Sequence, residues 1–229
     1  MSDLTSTVIA VIGGTGKEGA GLAFRWANAG MPILIGSRDG ARAAEKAAEL
    51  NAELAAQGSP THKPLQGMGN ADAARAAQVV VISVPYDAHT STLSALHDVL
   101  QGKVVIDVTV PMQPPDIRKV YVPEGKSACV EAQTILGRGA KVVAAFQNVS
   151  AAHLMHLDHA PACDVLVCGD DEAAKNTAIT LVMAAGMRGI DAGALINAVA
   201  VEALTPVLLY INKKYKVKGA GITITGFAG

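Results

Sequence analysis

The sequence predicts an α/β protein of the Rossmann type, in which a doubly wound, mostly parallel sheet is accompanied by a small C-terminal helical part. Short runs rich in Val and Ile alternate with longer stretches rich in Ala, as they do in βαβ units. The short runs are continuously apolar, which is typical of strands buried on both faces. A glycine-rich loop joins the first run directly to the first Ala-rich stretch, between Ile12 and Lys17.

Strands and helices are predicted in alternation along the chain. The strands are Thr7–Ile12, Pro32–Ile35, Val79–Val84, Val104–Asp107, Val142–Ala145 and Val165–Cys168. The helices are Lys17–Ala29, Ala41–Ala56, Asp72–Ala77, His89–Leu100, Ala128–Leu136, Asp171–Ala185 and Ala194–Asn212. Prolines cluster between Val110 and Ala128, so that segment is predicted to be an irregular connection.

Composition excludes several classes of protein. Of the 229 residues, 50% are hydrophobic and 17% are charged, and 19 Lys and Arg against 20 Asp and Glu give a net charge of −1. These values exclude a disordered chain, and without a basic block a nucleic-acid partner is not expected. Three scattered cysteines, no secretory signal and no long uninterrupted apolar run predict a cytoplasmic protein without a membrane segment.

The C-terminal part is expected to complete a binding pocket and a homodimer. We predict a nucleotide-binding domain over residues 1–166 and an acceptor-binding and dimerisation part over residues 167–229; one compact domain is the alternative. The stretch Ala198–Ile211 has a single charge, and a helix that is apolar on nearly all sides needs cover on nearly all sides. A partner chain would supply that cover; a helix buried within one monomer is the alternative. The glycine-rich tail 219–226 is expected to fold over the cleft as a flap.

The loop Gly13–Gly19 has the pattern of a dinucleotide-binding turn. Gly14, Gly16 and Gly19 give Gly-x-Gly-x-x-Gly between a strand and a helix, which is the context that this pattern requires. Glycines there permit a tight turn, close approach of the pyrophosphate, and close packing of helix on strand. The free amides of the helix N-terminus then bind the pyrophosphate. We predict cofactor contacts from Thr15, Lys17 and Glu18 as well; the alternative is an ordinary glycine-rich turn.

The end of the second strand favours NADP over NAD. NAD-binding units place an acidic residue about 20 residues past the glycines, where it binds the ribose 2′-hydroxyl. This chain has Ser37 and Arg38 at that point, and its first acid is Asp39. A guanidinium and a hydroxyl bind a 2′-phosphate, which a carboxylate would repel. The alternative is that Ser37 and Arg38 only begin a turn.

The strand Val79–Val84 ends in Ser83, Val84 and Pro85, which are expected to face the nicotinamide half of the cofactor, with His89 nearby. Tyr86 and His89 are the only neighbouring groups that could protonate a substrate, and neither is assigned as a catalytic acid or base. Hydride transfer between two planar rings needs mainly stacking and orientation.

Two further patterns are not expected to be functional. His153, His156 and His159 do not share one face of a helix, so no metal site is predicted. Tyr210 and Lys214 have the Tyr-x-x-x-Lys spacing of short-chain dehydrogenases but lie too near the C-terminus.

Several blocks together resemble one known family. They are Gly13–Gly16, Ile35–Arg38, Gly67–Ala74, Val167–Asp171, Asp191–Gly193 and Glu202–Pro206. From Val8 to about Gly221 the chain resembles the F420-dependent NADP oxidoreductases, and it shares much of this pattern with the NADPH domain of STEAP-type ferric reductases, which use a flavin. The Cys-Gly-Asp-Asp and Leu-Thr-Pro blocks are the more discriminating ones.

The resemblance implies hydride transfer between NADP(H) and a deazaflavin, with Thr15, Ser37 and Arg38 on the 2′-phosphate. It also implies that the segment Phe146–Ala152 lies between the two rings. We therefore assign Ala151 to the cofactor. The residues assigned to the acceptor are Gln147, Asn148, Val149 and Leu204. Where F420 enzymes commonly carry His, this chain has Gln147, which leaves the acceptor open between F420 and a flavin.

Three functions are compatible with these patterns. The first is hydride transfer between NADP(H) and a deazaflavin or flavin. The second is an NADP-dependent dehydrogenase or reductase of a small carbonyl or imine substrate, which would need a general acid. The third is a non-catalytic NADP sensor.

Overall fold

The computed structural model of the protein describes residues 4–59 and 63–227. Its strands are β1 (Ile9–Ile12), β2 (Ile33–Ser37), β3 (Gln66–Gly69), β4 (Val79–Ile82), β5 (Val104–Asp107), β6 (Lys141–Ala144), β7 (Asp164–Gly169) and β8 (Arg188–Asp191). Its α-helices are α1 (Lys17–Asn28), α2 (Gly40–Ala56), α3 (Asn70–Ala76), α4 (Tyr86–Leu100), α5 (Ala128–Leu136), α6 (Glu172–Ala184) and α7 (Ala198–Tyr215).

The strands form one sheet in the order β3-β2-β1-β4-β5-β6-β7-β8. All neighbouring pairs are parallel except β6 and β7, which pair antiparallel. The predicted Rossmann-type, mostly parallel class is confirmed. The chain order reverses between β1 and β4, and ligands of open α/β sheets bind in the crevice beyond the carboxyl ends of such strands.

Two short strands at the sheet edges, β3 and β8, were not predicted. Their sequences, Gln-Gly-Met-Gly and Arg-Gly-Ile-Asp, contain no apolar run, and their residues are half-buried or exposed. An edge strand is covered less completely than a central one, so it lacks the continuous apolar signature by which the other six were recognised.

Each face of the sheet has its own hydrophobic core. Alternate residues of β1 point to opposite sides, so Ile9 and Val11 belong to one core and Ala10 and Ile12 to the other. Helices α1, α2 and α6 cover the first face, while α3, α4, α5 and the start of α7 cover the second. The sheet continues through β7 and β8, so the predicted domain division after residue 166 falls inside β7 and stays a prediction.

Helix α7 is buried on one side and exposed on the other. With the short 3-10 turn before it, it forms the 21-residue stretch Leu195–Tyr215, whose mean hydropathy of 1.6 would allow it by length and composition to cross a membrane. Its inner side contains the buried carboxylate of Glu202, which accepts hydrogen bonds from the first amides of α5. Its outer side exposes Val207 and Tyr210. The inner side therefore belongs to the domain, and the outer side is uncovered in a single chain.

The C-terminal tail runs along the start of β7 rather than over the crevice. The amide of Asp164 donates to the carbonyl of Ile222 at 2.8 Å, and the Asp164 carboxylate accepts from the amide of Ile224. Arg188 binds the same carboxylate through two nitrogens, at 2.8 and 2.6 Å. As far as residue 227 the tail contributes nothing to the lining of the crevice, so the predicted flap is wrong in its location.

Candidate functional site

A cleft of about 460 Å³ lies beyond the carboxyl ends of β1, β4, β5 and β6, at the reversal of strand order. The glycine loop forms one wall, and the segments after β4, β5 and β6 form the others. Its lining residues are Gly16, Lys17, Glu18, Ser83, Val84, Pro85, Tyr86, Asp87, Val108, Thr109, Val110, Met112, Pro114, Ile117, Phe146, Gln147, Val149 and Thr205. Most of them are apolar, so the cleft suits a flat ring system better than a small polar substrate.

The glycine loop is pressed against the neighbouring strands, which explains why it lacks side chains. Gly13 has a φ of +75°, and a Cβ there would lie 2.4 Å from the carbonyl oxygen of Ser83. A Cβ at Gly14 would lie 2.8 Å from the carbonyl oxygen of Val11, and one at Gly19 would lie 2.8 Å from the Ser83 hydroxyl. These three glycines are required by the fold itself.

Gly16 differs from the other glycines because the space beside it is open. A Cβ there would meet only the carbonyl oxygen of Gly13, at 3.4 Å, which is ordinary contact. Gly16 is the N-cap of α1 and has no side chain to bind the helix amides, so the amides of Lys17, Glu18 and Gly19 are available to an anion. The protein does not need a glycine here for packing, whereas a closely approaching ligand would.

A second compartment of about 360 Å³ continues from the glycine loop towards α2. It is lined by Thr15, Gly16, Lys17, Ala20, Lys46, Glu49, Leu50, Ala151, Ala152 and Met155. The predicted contacts Thr15 and Ala151 thus come together although 136 positions separate them in the chain.

The end of β2 and the turn after it combine the buried hydroxyl of Ser37 with the exposed guanidinium of Arg38. Asp39 is the N-cap of α2, and its carboxylate accepts from the amides of Ala41 and Arg42 at 2.9 and 3.3 Å. The amide of Asp39 in turn donates to the Ser37 hydroxyl at 3.2 Å. Arg38 is exposed and makes no ion pair with any residue that the structure describes. The acid is therefore occupied by its own helix, and the guanidinium is available.

The segment after β6 is held in an uncommon conformation. Phe146 has a φ of +75°, is buried, and packs edge-on against Trp26 with ring centroids 5.6 Å apart. The Gln147 side-chain nitrogen donates to the carbonyl of Asp107 at 2.7 Å, and the Gln147 carbonyl accepts from the Thr205 hydroxyl at 2.6 Å. Backbone strain of this kind persists only where surrounding contacts fix it, and such strain clusters at ligand sites.

Seven predicted contacts line neither the cleft nor the second compartment: Gly14, Gly19, Ser37, Arg38, His89, Asn148 and Leu204. His89 is fully buried, and its Nε2 lies 2.6 Å from the Asp107 carboxylate. Asn148 is buried and donates to the carbonyl of Asp164 at 2.7 Å, and Leu204 is half-buried beside Thr205, which does line the cleft. His89 and Asn148 therefore bind groups inside the protein instead of facing the cleft. Tyr210 and Lys214 lie together at the far end of α7.

Behind the cleft lies a group of buried polar side chains. Burial lowers the pKa of His89, but the charge and hydrogen bond of Asp107 outweigh it and raise that pKa above its ordinary value. Burial raises the pKa of Glu202 to about 7, although its hydrogen bonds from α5 oppose this. His89 binds the Asp107 side chain at the end of β5, and Glu202 binds the first amides of α5, so these groups position the cleft walls from behind.

The three histidines between β6 and β7 are held in place through their backbone carbonyls. The carbonyls of His153, His156 and His159 all accept hydrogen bonds from the Arg25 guanidinium. Among the residues that the structure describes, no group of three His, Cys, Asp or Glu side chains is arranged to hold a metal ion.

Comparison with known proteins gives one consistent family. The model of the family described as "NADP oxidoreductase coenzyme F420-dependent" matches residues 8–111. The F420-dependent NADP reductase of Methanocaldococcus jannaschii is 41% identical over 222 residues, covering 95% of this chain and 97% of that protein. The chain belongs to this family.

Two further similarities agree with membership of the F420-dependent NADP reductase family. A crystal structure described as a putative F420-dependent NADP reductase from Arthrobacter sp. FB24 superposes with a TM-score of 0.74 at 25% identity, covering 96% of this chain and 99% of that one. Rat metalloreductase STEAP3 is 29% identical over 94% of this chain, which corresponds to 40% of its own length.

Three of the blocks that resemble this reductase family have structural roles in the chain. At Gly67 a Cβ would lie 2.1 Å from the backbone of Ala43, so glycine allows α2 to pack on β3. Asp171 is the N-cap of α6, and Thr205 fixes the segment after β6 through the Gln147 carbonyl. The first two blocks therefore hold α2 and α6 in place, and the third fixes one wall of the cleft.

The described residues fit NADP and a second flat ring. Gly16 leaves a cradle that a side chain would fill, and the α1 amides beside it suit a pyrophosphate. Two buried oxygens that face this region, Oε1 of Glu18 and Oε1 of Gln147, have no hydrogen-bond partner among the described residues. Buried polar atoms are normally paired, so unpaired ones beside an apolar cleft indicate a missing partner.

Replacing Gly16 with alanine is expected to weaken NADPH binding at least tenfold without unfolding the protein. The added methyl fits the apoprotein but occupies the space that the pyrophosphate needs. Gly69→Ala is the matched control, since Gly69 is also a glycine N-cap without a side-chain hydrogen bond and its Cβ would meet only Asp72, at 3.7 Å. NADPH affinity is measured by fluorescence titration and stability by urea unfolding. Tight binding by Gly16→Ala would place the cofactor elsewhere.

Proposed function

We propose that the protein transfers a hydride between NADP(H) and coenzyme F420. Family membership supports both partners, and the observation that carries the proposal is the juxtaposition of the glycine loop with one apolar cleft. The chemistry of the pair is the movement of two electrons and one hydrogen nucleus from C4 of the dihydronicotinamide to the deazaflavin ring, or the reverse. The residues of the chain bind, orient and exclude water.

NADP is proposed to lie across the glycine loop. The amides at the start of α1 and the Lys17 side chain would bind the pyrophosphate, and Gly16 permits its approach. Thr15, Ser37 and Arg38 would hold the 2′-phosphate on the β2 side, with Ala151 closing the second compartment. Arg38 suits this role because a guanidinium binds phosphate through two parallel hydrogen bonds.

The acceptor is proposed to stack over the nicotinamide in the apolar cleft. Val84, Pro85, Val149 and Gln147 line it, with Thr205 below. Tyr86, the titratable hydroxyl of this wall, donates to Glu131 at 2.9 Å, and burial followed by that hydrogen bond raises its pKa far above neutrality. Because the Tyr86 hydroxyl is engaged by Glu131, it is not available as the general acid that reduction of a carbonyl would need, and this favours transfer between two rings.

The direct test mixes the protein with NADPH and follows absorbance at the nicotinamide band while one acceptor at a time is added. F420, FMN, FAD, a ketoacid panel and a cyclic imine are compared. Oxidation of NADPH with F420 supports the proposal. Oxidation with only a carbonyl or imine would show a substrate dehydrogenase, and tight NADPH binding without any oxidation would show a sensor.

We expect NADPH to bind about 10- to 150-fold more tightly than NADH, and Arg38→Ala to remove most of that preference. One charge-assisted contact to a phosphate contributes about 1.5–3 kcal/mol. Arg42→Ala is the matched control, because Arg42 is an exposed arginine four residues further along, whose amide binds Asp39. Dissociation constants for both nucleotides are measured by titration. Equal affinities in the unaltered protein would contradict the 2′-phosphate assignment.

Gln147→His is expected to raise turnover with F420 relative to turnover with FMN. Gln147 lines the cleft and binds the carbonyl of Asp107, so its replacement changes the wall beside the acceptor. Gln147→Met is the control, since it keeps a similar length but cannot donate to that carbonyl. The ratio of the two kcat/KM values is the readout. An unchanged ratio in Gln147→His would remove this residue from the acceptor site.

A homodimer is proposed to cover the outer side of α7. Val207 and Tyr210 are 43% and 55% exposed in the single chain, and two-fold dimers are the commonest soluble assembly. Light scattering during size exclusion is expected to give twice the chain mass, and Val207→Glu is expected to lower it. A mass near 23.4 kDa at micromolar concentration would refute the dimer.

A further inference from the structure

Glu18 occupies an unusual position for an acidic residue. It is the second residue of α1 and lines the cleft with Ser83 and Val84, and its carboxyl oxygen Oε1 is buried without a hydrogen-bond partner among the described residues. Buried carboxylates are normally paired with a cation or several donors. A carboxyl group without either, at the wall of a ligand cleft, indicates that its partner arrives with the ligand.

The order of strands determines which part of NADP reaches Glu18, if NADP lies as proposed above. With the pyrophosphate on the α1 amides, the adenosine half extends towards β2, where Ser37 and Arg38 lie. The nicotinamide half then extends in the opposite direction, towards β4 and β5. Glu18 borders the cleft on that side, among the segments that follow these two strands.

We infer that the Glu18 carboxyl lies against the nicotinamide and makes the protein distinguish NADP⁺ from NADPH. The oxidised nicotinamide ring carries a positive charge, and the reduced ring is neutral. A carboxylate beside the ring in an apolar cleft stabilises the cation, because the surroundings screen the charges less than water does. The same carboxylate gains nothing from the neutral ring. The phosphates are common to both nucleotides, so they do not contribute to the difference between the NADP⁺ and NADPH affinities.

The ionisation of Glu18 couples this preference to pH. Burial raises the pKa of Glu18 to about 8, so the carboxyl is largely protonated at pH 7 in the free protein. Binding of the cationic ring favours the ionised form and lowers that pKa, so NADP⁺ binding releases a proton. NADP⁺ affinity therefore rises as pH increases towards 8 and levels off above it, while NADPH affinity does not follow.

The other titratable groups near Glu18 do not account for the expected change of affinity around pH 8. Burial raises the pKa of the Cys163 thiol to about 11, with further contributions from Asp164 and Glu18. Tyr86 stays protonated throughout, and Lys17 and Asp87 complete the charged groups of the cleft wall. Glu202, with a pKa of about 7, and His89, whose pKa Asp107 raises, both lie outside the cleft lining, and the Glu18→Gln variant separates their titration from that of Glu18.

The test is the ratio of the NADPH and NADP⁺ affinities of the complete protein at pH 6.5 and pH 8.5. We expect the preference for NADP⁺ to grow about 5- to 20-fold over this range, for a pKa that NADP⁺ lowers by one to two units. In Glu18→Gln, which keeps the shape but cannot ionise, the ratio is expected to stay constant. Asp87→Asn removes an exposed carboxylate from the same cleft and is expected to keep the pH dependence, since solvent screens that charge.

Proton release provides a second measurement. Titration of NADP⁺ at pH 7 in buffers of different ionisation enthalpy is expected to show the release of about 0.4 to 0.8 of a proton, for a pKa near 8 that NADP⁺ lowers by one to two units, and titration of NADPH is expected to show none. A ratio that stays flat with pH, or that changes equally in Glu18→Gln, would overturn the inference while NADP binding stands. If the unaltered protein binds neither nucleotide, the proposed function itself fails.

Discussion

The Arg25 guanidinium joins the helix of the glycine loop to the segment that closes the cleft, and much of the site depends on it. Arg25 lies on α1, is buried, and donates to the carbonyls of His153, Leu154, His156, His159 and Ala185. Burial lowers its pKa, but the group stays charged at neutral pH. Five backbone carbonyls replace the hydration shell of this buried cation. The charge is therefore tolerated in the core only when the loop between β6 and β7 is folded around it.

This arrangement explains how an irregular connection can act as a rigid wall. Between β6 and β7 the chain makes no regular structure beyond a single 3-10 turn at Ala151–His153. Arg25 fixes its middle, Trp26 fixes its start through Phe146, and the bond from Asn148 to the carbonyl of Asp164 joins its two ends. Arg25 and Trp26 both lie on α1, the helix whose first amides face the cleft. The same helix thus orients the proposed pyrophosphate site and the opposite wall, which keeps their separation constant.

The central fold was predictable because its causes are local in sequence. A strand buried on both faces needs a continuous apolar run, and all six strands recognised this way are found in the sheet. The edge strands β3 and β8 are not buried on both faces, so they need no continuous apolar run, and they were not predicted. The glycine loop was predictable for a related reason: a Cβ at Gly13 or Gly14 would lie 2.4 or 2.8 Å from a backbone carbonyl oxygen, which leaves no alternative residue. Here the backbone alone determines which residue type can be present.

The side chains of the site were less predictable because their direction depends on tertiary packing. His89, in the first turn of α4, and Asn148, in the loop after β6, follow strands that end at the cleft, yet both side chains turn inward, to the Asp107 carboxylate and the carbonyl of Asp164. Thr109, Met112 and Ile117 line the cleft from the proline-rich segment, which has no periodicity to reveal their direction. For Glu18 the sequence predicted the location but not the surroundings of the side chain. Its place in the glycine pattern indicates proximity to the cofactor, but only the fold shows that its carboxyl is buried without a partner, and that isolation is what gives an acidic residue a role at this site.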